Sequence, residues 1–224
     1  PSRLALQHMK ILAPSSAELT LGRAATPIAF IRAIVLGYRL RGMDPASALV
    51  QAQIPPALLD DPQARVTAAQ MELLSGIAMQ ALDDEALGWF SRRLPWGSYG
   101  MLCRASLTAP TLEVALKRWC RHHRLLTEDI VFELVPPRFQ QRGSATIRVT
   151  ENTSLGELRE FCLVSTLRYL LGYACWLVDS RIMLTDAAFP FPAPVHADAY
   201  AYLFAGPVRF STSTATISFD ARYL

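Results

Sequence analysis

The chain has 224 residues, of which 51% are hydrophobic and 18% are charged, and its formal net charge is +3 at pH 7. This composition is typical of a core-rich globular chain and excludes an intrinsically disordered one. A balance of +3 does not favour nucleic-acid binding by this segment. No uncharged apolar run reaches the roughly 18 residues of a membrane span, so no membrane partner is expected.

The four cysteines are widely spaced and form no CxxC pair: Cys103, Cys120, Cys162 and Cys175. Their spacing favours buried, reduced thiols, with a metal or disulfide site as the alternative. The N-terminus lacks the basic-then-apolar pattern of a secretion signal. We therefore expect a cytoplasmic protein.

The first half of the chain is predicted to be helical after a lead-in. Residues 1–25 show no clean periodicity, so a mobile lead-in is expected there. Capping residues, beginning with Thr26 before Pro27, then recur ahead of apolar stretches. They predict helices or helical turns over residues 28–40, 46–53, 56–61, 68–82, 85–94, 101–109 and 112–126.

The pattern changes from helical to alternating near residue 127. Alternation predicts strands over residues 129–135, 144–150 and 181–186, and a final hairpin from 207–212 and 215–220. Helices over 154–178 and 196–205 complete the order β-β-α-β-α-β-β. The predicted fold class is α+β, with an N-terminal helical bundle packed on a mostly antiparallel sheet and one long central helix. No linker divides 26–224, so we expect a single domain, helical over 26–126 and α+β over 127–224.

The central helix, residues 154–178, would have two different apolar faces. One face is aliphatic and suits a sheet: Leu163, Val164, Leu167, Leu171 and Ala174. The other carries rings, hydroxyls and a thiol: Cys162, Ser165, Thr166, Tyr169, Tyr173 and Trp176. This mixed face suits either a second helical layer or a small-molecule pocket, since pockets have apolar walls with a few polar groups. A helix that is apolar all round is expected to be buried on all sides.

Two further positions carry polar groups in apolar surroundings. His123 lies beside Trp119 on the apolar face of the helix over 112–126. It is interpreted as a hydrogen-bonded core histidine or a pocket-lining group. A metal or haem site through His122 or His123 is the weaker alternative, because adjacent helical residues point about 100° apart. Arg104 lies in an apolar segment, so it either extends to solvent or meets an acidic partner such as a ligand carboxylate.

The common catalytic signatures are absent, including GxSxG, the phosphate-binding loop, GxGxxG and HExxH. The acidic run over residues 83–85 is interpreted as a helix cap. An enzyme with an unrecognised site around His123 and Ser165 stays open as an alternative. The residues favour binding over turnover, with no catalytic residue, no metal and no cofactor.

Two stretches carry a family resemblance. Residues 87–126 contain a leucine-glycine pair, an aromatic-glycine turn (Tyr99-Gly100), Pro110-Thr111-Leu112 and the pair His122-His123. The end of the chain contains an FxGPVxF-like stretch over 204–210, followed by Ile-Ser-Phe-Asp. Together, over roughly 26–224, the chain resembles the effector-binding, arabinose-binding-like N-terminal domain of AraC-type bacterial transcription regulators.

This resemblance implies control of transcription by an unknown small-molecule effector. It implies DNA binding only through a C-terminal helix-turn-helix module that is missing from this chain, and it is consistent with a homodimer. We expect a small, partly apolar effector, with a carboxylate as an option, between the mixed face and the helix that carries His123. The candidate ligand-binding residues are Arg104, Trp119, His123, Cys162, Thr166, Tyr169 and Tyr173. The chain also has a weaker resemblance to haem and nitric-oxide sensing domains, through Arg168, Leu171 and Gly172. We do not infer a haem from it.

Overall fold

The computed structural model describes residues 19–137 and 143–224. The helices of this part of the chain are α1 (Ile28–Leu40), α2 (Ala46–Gln51), α3 (Ala68–Leu82), α4 (Ser98–Ser106), α5 (Leu112–Leu126), α6 (Arg159–Leu177) and α7 (Tyr200–Phe204). The strands are β1 (Thr26–Pro27), β2 (Arg65–Val66), β3 (Ile130–Val135), β4 (Ser144–Glu151), β5 (Leu184–Ala188), β6 (Val208–Arg209) and β7 (Ala215–Asp220). None of these helices is long and apolar enough to cross a membrane.

The predicted α+β class with a mostly antiparallel sheet is confirmed. The second half builds a five-stranded sheet in the order β3-β4-β7-β5-β6. Its strands pair antiparallel except for β5 and β6, which are parallel. Alternate residues of β7 are buried, including Ile217 and Phe219. One face of the sheet therefore forms the core of this half.

The predicted final hairpin is wrong. Strand β7 lies inside the sheet and pairs with β4 on one side and β5 on the other. Both of its hydrogen-bonding edges are therefore occupied, and β6 instead pairs with the outer edge of β5. A left-handed turn residue, Ser211 with φ of 56°, lies between the two strands. Local alternation predicted both strands but could not predict their partners.

Helices α1, α3 and α5 have the bounds that the sequence predicts, but the expected cap of α1 is wrong. Thr26 is not a helix cap, because it belongs to β1, which pairs with β2. Thr67 does cap α3, and Gln70 completes a capping box with it. The Thr67 hydroxyl also donates to the carbonyl of Leu19, a buried residue. Residues 1–18 of the expected lead-in lie outside the described residues.

The predicted helix over residues 85–94 is wrong, because the buried Asp84 carboxylate holds this segment as a loop. It accepts backbone hydrogen bonds from Ala86, Gly88 and Leu94 at 3.0–3.1 Å, and it pairs with Arg41 at 3.1 Å. These bonds engage amides that a helix would use for its own ladder. Asp84 therefore organises a loop instead of capping the predicted helix over residues 85–94.

The central helix is shorter and less buried than expected. A 3₁₀ turn at Gly156–Leu158 precedes α6, which contacts α5 and β7. The aliphatic face is fully buried, as expected. The expectation of burial on all sides is wrong, because Tyr169 is 41% exposed and Trp176 is 66% exposed. The neighbouring α4 has only nine residues and covers only part of the mixed face.

Candidate functional site

Tyr99 occupies the space between the two predicted walls of the pocket. It lies at the start of α4, after Gly97, which has φ of 98°. The Tyr99 ring centroid is 6.1 Å from that of Trp119, 5.9 Å from that of His123 and 5.0 Å from that of Tyr169. The side chain therefore contacts both α5 and α6.

Trp119 and His123 lie deep behind Tyr99. Both side chains are fully buried, and each packs edge-on against Phe132 of β3, with ring centroids 5.1 and 4.8 Å away. Burial lowers the pKa of His123 from 6.5 to about 4, so the ring is neutral at physiological pH. Neither ring nitrogen has a hydrogen-bond partner within the described residues. His123 is therefore a core histidine, as one interpretation of the sequence expected, but the expected hydrogen bond is not formed.

Cys162 and Thr166 are the most buried residues of the mixed face. The Thr166 hydroxyl donates to the Cys162 carbonyl at 2.8 Å, within the same helix. Burial raises the pKa of the Cys162 thiol well above its usual value. All four cysteines of the chain are free thiols. Among the residues that the structure describes, no three His, Cys, Asp or Glu side chains are grouped to hold a metal ion.

Tyr169 and Tyr173 connect α6 to α4 through the same residue. The Tyr169 hydroxyl lies 3.2 Å from the Cys103 sulfur, and the Tyr173 hydroxyl donates to the Cys103 carbonyl at 2.9 Å. Burial raises the pKa of both phenols, so both rings are uncharged. These two bonds fix the position of α4 along the central helix.

Arg104 is exposed on α4. A Cβ added at Gly100 would lie 3.6 Å from the Arg104 guanidinium, so this side chain covers the glycine. No acidic side chain of the described residues forms an ion pair with Arg104. The guanidinium therefore lies next to Gly100, which lines the cavity described below, although the Arg104 side chain is not part of that cavity's lining.

A cavity of about 280 Å³ opens beside Tyr99, between α4, α6 and the loop that precedes α4. Its lining comes from three regions and consists of Met79, Glu85, Trp89, Trp96, Tyr99, Gly100, Ser165, Thr166 and Tyr169. Of the residues predicted to bind a ligand, Thr166 and Tyr169 line it. Trp119, His123, Cys162, Tyr173 and Arg104 do not.

Glu85 is the charged residue of this lining, and the sequence analysis missed its role. Its side chain is held at the base of α4 by backbone hydrogen bonds from Gly97 at 2.8 Å and from Tyr99 at 2.7 Å. The residue is only 8% exposed. The sequence does contain an indication of this role, because an acidic run precedes the aromatic-glycine turn. Once residues 86–97 are known to form a loop, the run can be interpreted as a cap for α4, the helix that follows that loop.

A larger groove of about 510 Å³ lies between α1 and the loops around Ser91 and Thr153. Its lining includes two carboxyl groups, those of Asp129 and Glu157. Burial acts to raise the pKa of the Asp129 carboxyl, but hydrogen bonds from Ser91 and Thr153 outweigh that effect and lower it. Since those bonds tie two loops together, Asp129 has a structural role.

Comparison with known proteins identifies the family to which this chain belongs. Residues 42–224 match the family described as the arabinose-binding domain of AraC transcription regulators, N-terminal. The chain belongs to this family, which confirms the resemblance, and it is a ligand-sensing regulatory domain of that type.

The matched proteins are themselves regulators. The ornithine utilization regulator of Pseudomonas aeruginosa is 26% identical over 199 residues, which cover 88% of this chain and 58% of that protein. The crystal structure of the transcriptional regulator CdpR from Pseudomonas aeruginosa shares 16% identity with a TM-score of 0.43, and covers 84% of this chain and 56% of that one. The chain therefore spans a little over half the length of the regulators it matches.

Proposed function

We propose that this chain is the effector-sensing part of an AraC-type transcription regulator, and that the effector binds in the cavity beside Tyr99. The regulators it matches are longer, and we assign DNA contact to a helix-turn-helix module outside these 224 residues. We assign no catalytic role. We also propose a cytoplasmic location, and retain a single domain over 26–224 and a homodimer as proposals.

The observation that carries this proposal is the composition of the cavity wall. Ser165, Thr166 and Tyr169 contribute from α6, Tyr99 and Gly100 from α4, and the remaining wall comes from α3 and the loop after it. A volume of about 280 Å³ is near the lower end of small-molecule sites, and apolar walls with few polar groups are typical of them. A ligand here would contact both helices at once.

This location revises the role of the other predicted residues. Trp119 and His123 support Tyr99 from behind, since their rings contact its ring. Tyr173 acts through Cys103, because the Tyr173 hydroxyl donates a hydrogen bond to the Cys103 carbonyl. We propose these as positioning residues, because none of the three lines the cavity.

The test is native mass spectrometry of the purified chain, followed by thermal denaturation with any co-purified molecule added back. We expect a bound small molecule, and a melting temperature that rises with its concentration because the ligand binds only the folded state. The Tyr169→Ala variant is expected to lose this rise. The Trp176→Ala variant removes an exposed aromatic of the same helix outside the cavity and is expected to keep it. A rise that survives Tyr169→Ala would contradict this location.

A further inference from the structure

The cavity beside Tyr99 has an aromatic lining with one carboxylate. Four of its residues carry rings: Trp89, Trp96, Tyr99 and Tyr169. The electron-rich faces of such rings attract cations, most strongly when the site is shielded from water. The aromatic lining thus favours a positively charged group over a negatively charged one.

The charge of Glu85 has no cationic partner among the described residues. Its two oxygens accept one backbone N–H each, from Gly97 and Tyr99, which leaves lone pairs on both. The neighbouring Asp84 differs, because Arg41 neutralises it. The positive end of α4 compensates this charge in part, and the remaining lone pairs can still accept hydrogen bonds from a cation in the cavity.

Among the residues described by the structure, no lysine or arginine lines this cavity. A ligand carboxylate here would face the Glu85 charge without compensation, which low-dielectric surroundings make costly. The carboxylate that the sequence suggested for Arg104 would have to bind outside the cavity wall. The carboxylate of the lining therefore disfavours an anion beside it.

We propose that the cavity takes a small organic cation, an alkylammonium or alkylguanidinium group, held by the four rings and by Glu85. This inference rests on the proposed function, because it names the chemical class of the effector for the same cavity. Trp96, at 53% exposure, is the most exposed of the four rings of the lining. Tyr99 and Trp89 form the buried part of the enclosure.

The experiment uses the 224-residue chain with defined probes: choline, n-butylammonium and n-butylguanidinium. The controls are neohexanol, the uncharged isostere of choline, and the anion butyrate. Binding is followed by tryptophan fluorescence and by the melting temperature. We expect at least one cation to bind saturably, and neohexanol and butyrate to bind at least about tenfold more weakly.

Two variants test the residues. Glu85→Gln removes the charge and keeps an oxygen acceptor, and Trp96→Leu removes a half-exposed ring; each is expected to weaken cation binding by about tenfold. Trp176→Leu is the matched control, since Trp176 is an exposed tryptophan outside the cavity, and it is expected to leave binding unchanged.

Two outcomes would overturn the inference. If neohexanol or butyrate binds as well as choline and Tyr169→Ala removes that binding, the cavity is an effector site but not a cation site. If no cation binds and a co-purified ligand survives Tyr169→Ala, the proposed function at this cavity fails as well.

Discussion

Tyr99 and Tyr169 meet across the contact between α4 and α6, with ring centroids 5.0 Å apart. Tyr99 also stacks on Trp119, so one side chain connects the cavity wall to the buried core. A ligand that moves or immobilises Tyr99 would change its contacts with both α5 and α6, as well as the start of α4.

Tyr99→Ala is expected to destabilise the fold by about 3 kcal/mol, because it removes a buried ring and leaves a cavity. Tyr99→Phe is expected to be nearly neutral, since the Tyr99 hydroxyl has no hydrogen-bond partner within the described residues. Denaturant unfolding of both variants measures the difference. A large loss in Tyr99→Phe would show that the hydroxyl has a partner.

His123 is expected to make the free energy of unfolding fall as the pH is lowered. Burial lowers its pKa from 6.5 to about 4, so the unfolded chain binds the proton more readily than the folded one. Its stabilising contribution is therefore complete above pH 6.5 and is lost as the pH falls through this window toward 4. The loss amounts to about 3 kcal/mol.

The free energy of unfolding measured at pH 7 and at several lower values checks this prediction. In His123→Phe the decline between pH 6.5 and 4 should shrink. In His122→Phe, the matched change at the adjacent position, the decline should persist. An equal decline in wild type and His123→Phe would refute it.

Asp84→Asn is expected to cost about 3 kcal/mol or more, because it breaks a buried ion pair and leaves Arg41 without its partner. It also weakens the bonds to three backbone amides that shape the loop before α4. Asp83→Asn, at the exposed neighbouring carboxylate, is expected to cost less than about 1 kcal/mol. Urea unfolding compares the two, and similar losses would contradict the assigned role of Asp84.

Removing the capping box of α3 is expected to destabilise the fold by about 1 kcal/mol. In Gln70→Ala the side chain that accepts from the Thr67 amide is lost, together with its bond to the Gln53 carbonyl. Gln51→Ala removes an exposed glutamine that bonds only Ser47 and serves as the control. Thermal denaturation of the two variants distinguishes them.

The sequence predicted the helices whose bounds depend on neighbouring residues. It did not predict segments whose conformation depends on residues far away in the chain. The bounds of α1, α3 and α5 follow from apolar periodicity and nearby caps. The segment over 85–94 has the same helical pattern, but Asp84 captures its amides. Helix propensity could not predict this loop, because it depends on the buried ion pair between Asp84 and Arg41, which are 43 residues apart in the sequence.

The site was predicted in part for the same reason. The mixed face of α6 drew attention to Thr166 and Tyr169, and both line the cavity. Glu85 and Trp96 were missed, because their places in the wall depend on how the loop before α4 folds. The predicted partner His123 lies behind Tyr99, whose position no periodicity could indicate.

The central claim is that the effector occupies the cavity beside Tyr99. The most direct measurement is native mass spectrometry of the ligand-bound fraction in the wild-type chain and in Ser165→Trp, which places a large ring into the cavity wall. We predict that the bound molecule disappears in Ser165→Trp and persists in the control Trp176→Ala, with both variants folded. Equal occupancy in Ser165→Trp and the wild-type chain would contradict the claim.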